Sequence, residues 1–184
     1  MFYLKQTTIL TNLIIMSTVW LSTSFCGFLM NMLSNTFKDE YVTGIVNGLS
    51  EIVANTIASI IYEKLGVKPS IIITYTIATL GGVLILIWGL KDQGSAYFLV
   101  FFFMVKFGVC ANFTIIYAAN NLLFPTLFAA TAMGICNFLA RLFSSLSFFA
   151  ENIEQPIPMI IFTVCCAATI VVAFFLRTKK QDKE

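Results

Sequence analysis

Residues 95–118 read SAYFLVFFFMVKFGVCANFTIIYA. About 20 helical residues cross the ~30 Å hydrocarbon core of a bilayer, so this segment is long enough to span one. A single charge, Lys106, sits near its middle. A charge at bilayer depth costs about 2.5–3.5 kcal/mol on insertion scales, so it persists only with a partner, a cavity or a task. Apolar runs of spanning length recur at Thr8–Leu33, Tyr41–Tyr62, Ser70–Leu90, Ala129–Ala150 and Pro156–Leu176, giving six predicted spans. Polar, Gly or Pro residues punctuate the breaks between them. Lipid satisfies no open sheet edge, so the expected fold class is an all-α membrane protein, a bundle of six transmembrane helices within residues 1–176.

Composition agrees. Hydrophobic residues make up 59% of the 184-residue chain and charged ones 11%, with a mean hydropathy of +0.90. A soluble domain needs a charged exterior that this chain lacks. A net charge of +2 gives no basis for a nucleic-acid partner. There is no His, which removes the commonest metal ligand and general base. With no HExxH, no GxSxG and Glu51 as the one intramembrane acid, the chain is expected not to be an enzyme and to bind no metal or cofactor. No filter-like loop suggests a channel. All five cysteines (Cys26, Cys110, Cys136, Cys165, Cys166) fall inside apolar segments and read as small buried hydrophobes. Asn112-Phe113-Thr114 matches a glycosylation sequon but lies at bilayer depth. The first span is too long, and too rich in Ser and Thr, for a cleaved signal peptide.

Loop charge sets the expected orientation. An even number of spans puts both termini on one side, with Lys5, Lys64, Lys68, Arg177, Lys179, Lys180 and Lys183; the other side holds Lys38 and Lys91. That bias places both termini in the cytoplasm. Residues 177–184 form a basic, solvated cytoplasmic tail, with anionic lipid as the functional alternative.

Polarity separates the spans. The second carries Asn47, Glu51 and Asn55 at spacing four, on one helix face, together with the GxxxG of Gly44 and Gly48, which permits close helix approach. The fourth carries Lys106, Asn112 and Tyr117, the fifth Asn137 and Arg141, and the first Asn12 and Asn31. The third and sixth hold no ionisable midspan residue, only hydroxyls that can bond their own backbone. Spans one, two, four and five are expected to face inward, and three and six outward, as two sets of three; secondary transporters show such nested triplets. Glu51 could simply pair with Lys106 or Arg141 and stitch the bundle. Even so, one acid against two bases leaves a positive charge that water or an anionic ligand would offset.

The run Lys106-Phe107-Gly108, Tyr117, Leu123-Phe124-Pro125-Thr126, Gly134, Ala140-Arg141 resembles the C-terminal half of the major facilitator superfamily, in its organic ion transporter branch. Glu51-Ile52-Val53-Ala54 is similar to that branch's Glu-x-Pro-Ala, and Glu63–Pro69 to its Asp-Arg-x-Gly-Arg-Arg-Pro loop. Trp20 and Ser24-Phe25 fit its seventh helix. The resemblance implies helices seven to twelve, one half of a bundle that moves small organic ions by alternating access, and it favours the plasma membrane. It implies substrate-binding roles for Arg141, Lys106, Glu51, Asn47, Tyr117 and Phe113. Arg141 stands where the branch carries Asp in cation carriers and Arg in anion carriers, which points to organic anions. Leu122 and Ala129 stand where the family has charges, and Val67 where it has a base, so regulated switching is eroded. A half-bundle is expected to need a second six-helix half, a homodimer or a larger membrane complex; the alternatives are a transport-inactive structural subunit and a truncated gene product.

Overall fold

Helix length in this chain is set by lipid, because each backbone carbonyl and N–H must be satisfied inside its own helix. The computed structural model describes residues 2–34, 40–91, 95–151 and 153–176. They form α1 (Phe2–Ser34), α2 (Glu40–Leu65), α3 (Val67–Ile87), α4 (Ala96–Leu123), α5 (Thr126–Ser144), a short α6 (Leu146–Glu151) and α7 (Ile157–Phe174), with a 3₁₀ turn at Gly89–Lys91. No strand occurs among the described residues. The chain is all-α, with six helical segments long and apolar enough to cross a membrane, as an integral multi-pass protein requires. Lys38 and the tail 177–184 lie outside the described residues, as do the side chains of residues 1–9, so the orientation expectation rests on sequence.

The predicted fifth span is two helices. Ser144, Ser145 and Ser147 each turn a hydroxyl back onto a carbonyl three or four residues earlier (Ala140 at 2.8 Å, Leu142 at 2.7 Å, Ser144 at 2.6 Å), and such back-bonding bends helices. The chain breaks at Ser145 between α5 and α6. Between α2 and α3 a single residue, Gly66, turns the chain at φ +81, a left-handed conformation that favours glycine. Lys68, next to this turn, donates to the Phe174 carbonyl at 2.6 Å and so closes the C-terminal end of α7.

Packing follows a two-fold pattern. α4 packs on α2, α3 and α1, and α1 packs on α5, α7 and α4; α3 packs on α7. Exchanging α1, α2, α3 with α4, α5, α7 maps these contacts onto themselves. Each triplet crosses the membrane three times, so the second begins on the opposite side from the first, and their relation is an inverted repeat. The exception is the seam between α5–α6 and α7. There an apolar groove of about 590 Å³ lies among Leu21, Phe25, Phe143, Phe149, Cys165 and Val172.

The α3–α4 contact is backbone to backbone. A Cβ on Gly108 would fall 2.5 Å from the Thr74 carbonyl oxygen and 2.7 Å from the Ala78 Cβ, so only glycine fits there. Tyr75 reaches from α3 to Thr23 of α1 (2.7 Å), and Thr169 of α7 bonds Ser22 of α1 (2.6 Å). The threonines of α3 and α7 otherwise bond their own backbone, as at Thr74, Thr76, Thr79 and Thr163.

Burial does not follow apolarity. α1 and α4 are the central pair, with 61% and 56% of their 18-residue apolar stretches buried, while those of the polar α2 and α5–α6 are buried over only 17% and 28%. Of the four spans expected to face inward, α1 and α4 do so, while α2 and α5–α6 are the most exposed of the six because they flank an open side of the bundle; α3 and α7, expected to face outward, are buried over 44% and 39%.

Candidate functional site

That open side carries the polar residues. Thr114 and Tyr117, three apart on one face of α4, divide it between two neighbours. Thr114 donates to the Asn55 side chain of α2 at 2.7 Å. Asn137 of α5 donates to the Tyr117 hydroxyl at 3.5 Å. A polar strip therefore runs from α2 across α4 to α5.

The three charges share one depth. Glu51 precedes the midpoint of Tyr41–Leu65 by two residues, and Arg141 follows that of Phe128–Phe149 by two to three. Lys106 precedes the midpoint of Ala96–Leu123 by three to four. α2 and α4 run opposite to α5, so all three are displaced toward the same membrane face, by ~3–5 Å at ~1.5 Å per residue.

They do not pair with one another. Lys106 is buried, and its ammonium donates to the Asn31 side chain near the end of α1. The lysine stem lies along apolar surface while the ammonium reaches toward the membrane rim. Glu51 is exposed on α2, within electrostatic reach of Lys106. Arg141 is exposed on α5, its guanidinium 5.9 Å from the centre of the Phe28 ring. Among the described residues no ion pair joins Glu51 to Lys106 or Arg141, so the stitching pair that the sequence allows does not form.

Of the residues expected to touch substrate, Arg141, Tyr117 and Phe113 come together. They line a cleft of about 150 Å³ with Trp20, Phe28, Asn31 and Asn137. Trp20 meets Tyr117 edge-on, with ring centres 4.6 Å apart. Its indole N–H is buried without a hydrogen-bond partner. Lys106 joins this group only through Asn31. Asn47 and Glu51 do not line the cleft; they sit on α2, across α4 from it. Trp20, Phe28, Asn31 and Asn137 were not among the expected substrate-binding residues. Asn137, four residues before Arg141, had a visible signal in its shared helix face.

Gly44 and Gly48 also differ from expectation. A Cβ on either would meet nothing within 4 Å, so the GxxxG serves no close approach within the chain. α2 instead turns Ser50, Ala54 and Ala58 toward the bundle. The described residues contain no cluster of metal-ligating side chains. No protein-family model matches the chain.

Proposed function

We propose that this chain is one half of a transporter of the major facilitator type and carries small organic anions across a membrane by alternating access. The observation that carries the reading is the cleft on the open face, with an exposed Arg141 guanidinium at bilayer depth and aromatic walls from Phe28, Phe113 and Tyr117. A guanidinium forks onto a carboxylate through two parallel bonds, and the rings suit an organic body. The inverted repeat of three-helix units adds support, since that organisation places substrate sites near the midplane. Lys106, held by Asn31, adds positive potential to the cleft, while Glu51 and Asn47 extend the polar wall on α2. In the lone chain the cleft is smaller than the ~300–1,000 Å³ of typical ligand sites, which fits one wall of a larger cavity.

The experiment is uptake of radiolabelled organic anions and cations into vesicles containing the chain. Arg141→Glu should abolish anion uptake or shift selection toward cations. Unchanged anion uptake in that variant removes the assignment. The second reading is a structural membrane subunit, favoured by Leu122 and Ala129 standing where the family has charges. It expects Arg141→Ala to leave assembly and cell fitness intact.

A further inference from the structure

We propose that the open face of α2 and α5 is the docking surface for a second copy of this chain. The two copies are related by a two-fold axis along the membrane normal, and Glu51 of each pairs with Arg141 of the other. The proposal goes beyond the transport reading and does not depend on it.

Charge complementarity is the first ground. Glu51 lies on one flank of the open face and Arg141 on the other, both exposed and neither paired with the other within the chain. Both lie toward the same membrane face from the midplane, at depths matched to within a residue. A two-fold axis along the normal keeps depth and exchanges flanks, so α2 of one copy meets α5 of the other, and the two pairs form together. Exposed charges at this depth are expensive to leave against lipid, and a mutual pair removes both. An inverted copy, related by an axis in the membrane plane, would shift the two charges to opposite sides of the midplane.

The uncharged residues fit the same arrangement. Asn55 follows the midpoint of its span by two residues, and Asn137 precedes its own by one to two, so they too share a depth. Gly44 and Gly48, with nothing within 4 Å, lie at the depth of the exposed Ser145 on the other flank. Small residues on both sides let backbones approach, which is how helices associate in lipid. The five guanidinium donors allow Arg141 to hold the other copy's carboxylate and still face its cleft.

The test counts subunits of the full chain in lipid vesicles by single-molecule photobleaching. The wild type should be dimeric at low protein density. Glu51→Arg alone or Arg141→Glu alone sets like charges against each other twice, and each should lose self-association by more than about tenfold. A mixture of the two variants restores both pairs in a heterodimer and should associate near the wild-type level. With the charges intact, a mixture of Asn55→Cys and Asn137→Cys chains should cross-link across copies with a short bifunctional thiol reagent, well above either variant alone. A monomeric wild type, or a dimer that neither cross-links this way nor recovers in the mixture, overturns the proposal. A wild type that is dimeric but takes up no organic anion would count against the transport reading alone.

Discussion

Lys106 shows what a single residue reveals and what it conceals. Its place within an apolar run marks it as a costly charge on sequence alone. Its partner is not legible there, because Asn31 lies 75 residues away on another helix. Whether the lysine stem runs toward one rim or the other depends on how α1 crosses α4. A stranded ammonium is worse than no ammonium. Asn31→Leu should therefore destabilise the chain by about 1–3 kcal/mol, while Lys106→Met should change stability by less than about 1 kcal/mol. The double variant should resemble Lys106→Met, because the charge that Asn31 serves is gone. Reversible unfolding in mild detergent measures all three. Equal losses from the two single variants would mean that Asn31 matters through packing and not through the lysine.

The number of spanning helices was legible because composition alone sets it. Six apolar runs of spanning length became six helical segments, since a bilayer admits little else. The break at Ser145 was not legible, because hydroxyl back-bonding decides it and Ser also occurs inside unbroken helices such as α1. The partner of the glycines was not legible for a related reason. A GxxxG pattern signals a close approach without saying to what, and Gly44 and Gly48 face open space while Gly108 lies against α3. Gly108→Val should therefore cost about 1–3 kcal/mol through overpacking against Thr74 and Ala78. Gly48→Val should change the stability of the isolated chain by no more than about 0.5 kcal/mol. Thermal unfolding of the two variants at high dilution in detergent checks the contrast. A comparable loss from Gly48→Val would place that glycine at a contact inside the chain.

At the scale of the whole molecule, the bundle is closed on one side and open on the other. α3 and α7 close the back by packing on each other and on the central pair, while α2 and α5 leave the polar strip uncovered. A two-fold axis along the membrane normal sets the α2 flank of each copy against the α5 flank of the other, so a second copy can cover both flanks at once. If two copies form the translocation path, the smallest transporting unit holds two chains. Uptake per chain should then stay constant while vesicles contain several copies, and should fall steeply once most occupied vesicles hold only one. The Glu51→Arg and Arg141→Glu variants, each inactive alone, should regain uptake when mixed only if Arg141 on a single member of the pair suffices for the anion. Restored dimers without restored uptake would mean that both guanidinium groups serve it. Uptake per chain that is independent of dilution down to single copies would make one six-helix chain the complete carrier and leave the open face to lipid.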